Sequence, residues 1–74
     1  SLAFDKNFEN LYFCEFGNNL IRKINMQNQI VSIVAGILNQ AGFNGNNLPG
    51  LNTTLNNPNS LAFDQSFENL YFCD

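Results

Sequence analysis

Few residues of this chain have the types and spacing that acid–base or metal chemistry requires. The sequence contains no histidine, which removes the usual general base, zinc ligand and member of a catalytic triad. Its acids occur singly, at Asp5, Glu9 and Glu15, and acids return at the equivalent positions later in the chain. A catalytic pair would be expected at one place only, so we interpret these acids as turn caps or acceptors of backbone hydrogen bonds. The sequence therefore predicts no enzyme, no catalytic residue, no metal site and no cofactor.

The two cysteines, Cys14 and Cys73, occupy equivalent positions 59 residues apart. If their segments lie in stacked sheets about 10 Å apart, a disulfide between them is not expected, because it requires Cα atoms within about 7 Å. We expect buried free thiols that pack as small apolar side chains. Pairing between chains is the alternative, because a cross-β stack with its spacing of about 4.8 Å would bring equivalent cysteines together.

One modification motif lies in the long polar stretch of the chain. Asn52-Thr53-Thr54 has the form of an N-glycosylation sequon, as a loop of a secreted protein would carry it. Such triplets also arise by chance in a chain with fifteen asparagines. We retain Asn52 as a candidate glycosylation site, which favours an extracellular location but does not establish the compartment.

Composition and charge argue against several classes of partner. The net charge is −3 and the pI is about 4.4, whereas nucleic-acid binding needs clustered Lys and Arg. The only basic cluster is the pair Arg22-Lys23. The longest apolar run, residues 30–38, is strand-sized and far shorter than the roughly 18 residues of a membrane-spanning helix. At 45% hydrophobic and 12% charged, the chain is also too apolar for a disordered tail.

The strongest pattern in the chain is an internal repeat. Residues 1–15 return as residues 60–74, with twelve of fifteen positions identical and a constant offset of 59. A period of this length is typical of propellers, solenoids and arrays, in which a single repeat cannot bury its own apolar face. We expect one complete repeat at residues 1–59, followed by the first two strands of the next repeat at residues 60–74, within a longer series.

Short strands joined by turns are expected to position these side chains. Apolar, β-branched and aromatic runs predict strands at about residues 1–5, 10–15, 20–25 and 29–35. A long loop at residues 36–59 follows, with a short helical turn expected near residues 49–56. The strands carry apolar residues on both faces, as strands buried on both sides do. The sequence thus predicts an antiparallel meander that lies between neighbouring sheets, as a propeller blade does.

Several of these segments resemble NHL repeats. The family's core begins with a "leucine-tyrosine-isoleucine-alanine-aspartate" strand, which is similar to Leu11-Tyr12-Phe13-Cys14-Glu15. An "asparagine-asparagine/histidine-x-isoleucine-arginine-lysine" segment follows in the family, and it is similar to Asn18-Asn19-Leu20-Ile21-Arg22-Lys23. Leu2-Ala3-Phe4-Asp5 is similar to the family's first strand, and Ile33-Val34-Ala35-Gly36 to its "threonine-valine-alanine-glycine" strand. Residues 41–58 resemble a glycine-rich loop between blades, although the asparagine-rich residues 44–47 replace its acidic position.

The resemblance implies an all-β fold, with a four-stranded antiparallel meander as one blade of an NHL-like β-propeller and a long loop between blades. Such propellers have about six blades, and the last blade borrows a strand from the other terminus. Family members serve mostly as protein- or RNA-binding platforms and as ectodomain modules. Some are lyases that depend on metal-binding histidines, so a lyase fragment is the last of our alternatives.

The close identity of the two copies favours an architectural role, because lattice contacts need matching repeats whereas binding faces need differing ones. We therefore expect a non-enzymatic structural and interaction repeat that packs on copies of itself, or on adjacent repeats, into a larger assembly such as an extracellular filament or array. The alternative is a protein- or glycan-binding platform on a closed propeller. Neither nucleic acid nor a membrane span is expected.

Overall fold

The computed structural model of the chain describes residues 1–45 and 48–74. Its strands in chain order are β1 (Leu2–Phe4), β2 (Asn10–Glu15), β3 (Leu20–Asn25), β4 (Val31–Ala35), β5 (Asn59–Phe63) and β6 (Leu70–Cys73). Two single 3-10 turns, Phe16–Asn18 and Gly50–Asn52, are the only helical segments in the described ranges. In the same ranges no helix has the length and apolar character to cross a bilayer.

The first four strands form one antiparallel sheet in the order β1-β2-β3-β4. Strands β2 and β3 pair over their whole length, from Asn10 opposite Asn25 to Glu15 opposite Leu20. This confirms the predicted all-β fold with a four-stranded antiparallel sheet, whereas its assignment to a propeller stays a prediction. Strands β5 and β6 form a separate two-stranded sheet, and Leu61 lies opposite Phe72 in the register that Leu2 and Phe13 have in the first sheet.

An aspartate closes the hairpin between the first two strands of each copy. The Asp5 Oδ1 atom accepts hydrogen bonds from the backbone N–H groups of Glu9 and Asn10, at 2.8 and 3.2 Å. Its Oδ2 atom accepts a third bond, of 2.9 Å, from the side-chain amide of Asn10. Asp64 accepts the same three bonds from the equivalent residues. Because asparagine and aspartate side chains stabilise turns in this way, both hairpins close with the same geometry.

These aspartates should make stability depend on pH in the acidic range. Partial desolvation raises the pKa of Asp5, but the hydrogen bonds from Asn10 and Glu9 outweigh it and bring the pKa below 3.8. The side-chain bond from Asn69 is the main cause of the lowered pKa of Asp64. A carboxyl group with a lowered pKa stabilises the fold above its unfolded-state pKa and loses that effect as the pH falls through its folded-state pKa.

We therefore expect the free energy of unfolding to fall as the pH is lowered below about 4. Urea denaturation followed by circular dichroism at a series of pH values would measure this loss. The double variant Asp5→Asn/Asp64→Asn is the control, since each asparagine keeps one side-chain oxygen to accept the backbone hydrogen bonds but does not titrate, and its stability should change less with pH. An equal pH dependence of both proteins would contradict the assignment.

The core lies between the two sheets. Ile21 from β3, Leu61 from β5 and Leu55 from the long loop form a buried cluster. Partly buried residues from both sheets pack around it, namely Ala3, Tyr12, Cys14, Val34, Ala35 and Leu70. Because the cluster joins side chains from both copies of the repeat, burial of apolar area holds one copy against the other.

The described parts of the long loop carry the second hairpin across the first sheet. The Gly36 N–H donates to the carbonyl oxygen of Gly50 at 3.0 Å, which holds the 3-10 turn beside the end of β4. Farther along, the Asn44 side chain accepts a hydrogen bond from the Thr54 N–H at 3.1 Å and donates one to the Asn52 carbonyl at 2.9 Å. These contacts fix the direction in which the chain enters β5.

Candidate functional site

The face-to-face contact between the two sheets is the candidate functional site, because the two copies of the repeat meet there. Alternate residues of a strand point to opposite faces of its sheet. The face of the first sheet that carries Ala3, Tyr12, Cys14 and Ile21 is called here the Tyr12 face. The face of the second sheet that packs on it is called the Leu61 face, and it carries Leu61, Phe63 and Leu70.

Leu61 and Phe63 make the central contacts between the sheets. Leu61 is 9% exposed and packs on Ile21 and Leu55. The ring of Phe63 meets the ring of Tyr12 edge to face, with centroids 5.0 Å apart and an interplanar angle of 82°, which is a favourable aromatic geometry. Burial, together with the negative charge of Asp5, raises the pKa of Tyr12 above 10.0.

A polar contact at the edge complements this apolar packing. The Leu61 N–H donates a hydrogen bond of 3.0 Å to the Oγ atom of Ser1. Ser1 and Ser60 are the first residues of the two copies, so the bond links the start of one copy to the start of the next. No sequence pattern pointed to Ser1, because a hydroxyl at the beginning of a strand has no distinguishing local signal.

The central residues of this interface have counterparts in the other copy of the repeat that are exposed to solvent. Leu2 is the counterpart of Leu61 but is 67% exposed, and Tyr71 is the counterpart of Tyr12 but is 61% exposed. The open side of the first sheet, with Leu2, Phe4 and Leu11, is called here the Leu2 face. The open side of the second sheet, with Ala62, Tyr71 and Cys73, is called the Tyr71 face. Each chain thus carries an uncovered counterpart of both halves of its own interface.

The two cysteines lie on corresponding faces and have different exposures. Cys14 is half-buried on the Tyr12 face, where burial raises the pKa of its thiol although the N-terminal ammonium group opposes this. Cys73 is exposed on the Tyr71 face. Both are free thiols in this structure, and pairing between chains stays a prediction.

Asn52 ends the second 3-10 turn and is exposed, whereas Thr54 of the same sequon is buried. Glycosylation of Asn52 stays a prediction. Within the asparagine-rich residues 44–47, Asn44 supports the loop as described above, and Asn46 and Asn47 lie outside the described residues.

No protein-family model matches this chain, and neither does any curated protein or solved structure. The resemblance to NHL repeats therefore stays a prediction. The geometry of the interface carries the functional argument.

Four of the acids, namely Asp5, Glu15, Asp64 and Asp74, make hydrogen bonds or ion pairs within the fold. Asp5 accepts hydrogen bonds in its turn, and Glu15 Oε1 pairs with the Nε atom of Arg22 at 2.8 Å. Across residues 1–45 and 48–74, no group of three or more His, Cys, Asp and Glu side chains has a metal-binding arrangement. A polar groove of about 420 Å³ lies at the turn end of the first sheet, and its lining is Phe8, Glu9, Asn10, Asn25, Met26 and Gln27.

Proposed function

We propose that this chain is a non-enzymatic structural and interaction repeat, a segment of a repetitive NHL-like protein whose consecutive sheets pack face to face into a larger extracellular assembly. The burial of Leu61 against Ile21 and Leu55 is the observation that carries the proposal. Leu61 belongs to the duplicated segment, so the contact that joins the first pair of sheets uses side chains that the repeat supplies again.

The open faces support a body that continues beyond two sheets. Soluble proteins rarely expose contiguous apolar surface unless it serves an interaction. Leu2 and Phe4 are exposed on the Leu2 face, and Tyr71 is exposed on the Tyr71 face. Repeat architectures have this character, because each unit buries its apolar face only against a neighbour.

A double-mutant cycle between Tyr12 and Phe63 tests this role of the interface. We expect Tyr12→Ala and Phe63→Ala to show a coupling energy of about 0.5–1.5 kcal/mol, because their rings meet edge to face between the sheets. Urea denaturation of the wild type, both single variants and the double variant would measure it. A coupling energy near zero would overturn the proposal.

Tyr71 and Phe4 provide the matched control for this cycle. They are the same residue types at the equivalent positions, and they lie on the two open faces. Tyr71→Ala and Phe4→Ala should therefore be additive to within about 0.5 kcal/mol. These measurements belong at low protein concentration, where only contacts within one chain contribute.

The groove at the turn end of the first sheet favours a second candidate, a platform for a protein or glycan ligand. The groove combines the exposed ring of Phe8 with polar groups such as the Gln27 amide, and binding sites commonly pair apolar surface with a few polar groups. Nuclear magnetic resonance titration with a panel of oligosaccharides should shift the signals of Phe8 and Gln27 if the groove binds glycans. Unchanged signals across the panel would contradict this role for glycans.

A further inference from the structure

We propose that a second copy of this chain docks head to tail, with the Leu2 face of one copy covering the Tyr71 face of the other. The inference rests on the proposed function and adds the partner and the polarity of the contact. The partner is another copy because the chain already contains this contact once, between the Leu61 face and the Tyr12 face.

The docking side of the contact is the Leu2 face. Leu2, Phe4 and Leu11 are the same residue types as Leu61, Phe63 and Leu70, one repeat earlier. They also have the same strand register, since Phe4 lies opposite Leu11 as Phe63 lies opposite Leu70. The Leu2 face therefore has the backbone geometry and side chains that the Leu61 face uses in the covered contact.

The receiving side is the Tyr71 face. Ala62, Tyr71 and Cys73 repeat the residue types Ala3, Tyr12 and Cys14 of the Tyr12 face. An apolar depression of about 260 Å³ lies at this hairpin. Ala62, Tyr71 and Cys73 line it from the Tyr71 face, and Ser60, Leu61 and Phe72 complete its lining. The residues that define the two open faces carry no charge. Arg22 lies opposite Phe13 on the Leu2 side of the first sheet, but it is already paired with Glu15 at 2.8 Å, so docking would bury no unpaired ion.

Phe4 and Tyr71 should form the central aromatic pair between the copies. Within one chain, Phe63 meets the Tyr12 ring edge to face and also packs on Phe67, with centroids 5.7 Å apart. Phe4 packs on Phe8 in the corresponding way, with centroids 5.2 Å apart. Phe4, the counterpart of the ring that contacts Tyr12, therefore has the same aromatic neighbour on the open Leu2 face as Phe63 has in the covered contact.

The contact between copies should be weaker than the contact within a chain. The covered interface includes Ile21 and Leu55 beneath Leu61, and the Tyr71 face has only the two strands β5 and β6. Two segments of one chain also meet at a high effective concentration, which separate molecules lack. Because the two faces differ, the association is heterologous, so each added copy leaves a free Leu2 face and a free Tyr71 face.

Sedimentation velocity of the whole chain with one blocking substitution on each face tests this polarity. Leu2→Asp places a charge on the Leu2 face and Tyr71→Asp places one on the Tyr71 face. Both side chains are more than half exposed, so the fold should persist, and circular dichroism and urea denaturation verify it. Phe43→Asp is the control, since Phe43 is 74% exposed in the loop and the substitution changes the charge equally.

The wild type and Phe43→Asp should increase in average mass between about 10 µM and about 1 mM, passing through dimers to longer species. Each face variant alone should stay monomeric over this range. An equimolar mixture of Leu2→Asp and Tyr71→Asp should form a dimer and stop there, because only one pair of complementary faces remains unblocked.

A wild type that stays monomeric throughout would overturn the inference. So would continued association of either face variant alone, since that result indicates a symmetric contact between like faces, and so would a mixture that does not associate. Coupling between Tyr12 and Phe63 without association would leave the proposed function standing and reject only this inference. Association without that coupling would instead reject the stacked interface within the chain.

Discussion

Replacing Leu61 with alanine should lower the free energy of unfolding by about 2–3 kcal/mol, whereas the same change at Leu2 should alter it by less than about 0.5 kcal/mol. The two leucines occupy equivalent positions of the repeat and have nearly identical sequence neighbours. They differ in burial, with Leu61 9% and Leu2 67% exposed. The comparison therefore separates the effect of the sheet interface from the effect of residue type and strand propensity.

The loss at Leu61 has two parts, the transfer of the removed methyl groups and the cavity that remains beside Ile21 and Leu55. Leu2 leaves no cavity, because most of its side chain already contacts solvent. Urea denaturation followed by circular dichroism gives both values, and the slope against urea checks that each variant unfolds in one step. Similar losses at the two positions would show that the sheet interface does not stabilise the chain.

Replacing Gly36 with alanine should destabilise the chain by about 2–4 kcal/mol, the sum of two backbone effects. Gly36 has a φ of +102°, which residues with a side chain rarely adopt. A Cβ atom there would also lie 2.6 Å from the carbonyl oxygen of Asn19 and 3.0 Å from Cδ2 of Leu20. Relief of this contact would move the start of the long loop, which directs β5 over the first sheet.

Two other glycines separate these contributions. Gly42 has a φ of +133° with open space where a Cβ atom would lie, and Gly17 has open space and no unusual φ. Denaturation of the three alanine variants should therefore rank the destabilisation as Gly36 above Gly42 above Gly17, with Gly17 near zero. If Gly36→Ala costs no more than Gly42→Ala, the close approach of Asn19 and Leu20 does not constrain the loop.

The turns explain where the strands depart from their predicted lengths. The fourth strand was expected from residue 29, but β4 begins at Val31. The Asn25 Oδ1 atom accepts hydrogen bonds from the N–H groups of Gln27 and Asn28, and the Asn28 Oδ1 atom accepts one from Ile30. These bonds extend the turn into a segment whose composition suits a strand. Propensity marks the strand, whereas side-chain hydrogen bonds decide its first residue.

In the long loop, too, the sequence pattern predicted a local element but not the tertiary contact. Leu48, Leu51 and Leu55 are three and four residues apart, and this spacing predicted a short helical turn near residues 49–56. The structure has one 3-10 turn at Gly50–Asn52. Leu55, part of that spacing, instead belongs to the buried cluster with Ile21 and Leu61. A contact with residues so distant in the chain has no local sequence signal, so it was not predictable from spacing.

Local sequence alone determined the strands, the aspartate turns and the presence of apolar residues on both faces. These features depend on alternation and turn chemistry within a few residues, which both copies of the repeat share. Only the tertiary structure decided which faces are covered. Leu2 and Leu61, like Tyr12 and Tyr71, are the same residues in the same local pattern, and they differ because the loop carries the second hairpin to one side of the first sheet. Burial depends on that long-range placement, so identical segments have one covered face and one open face on opposite sides.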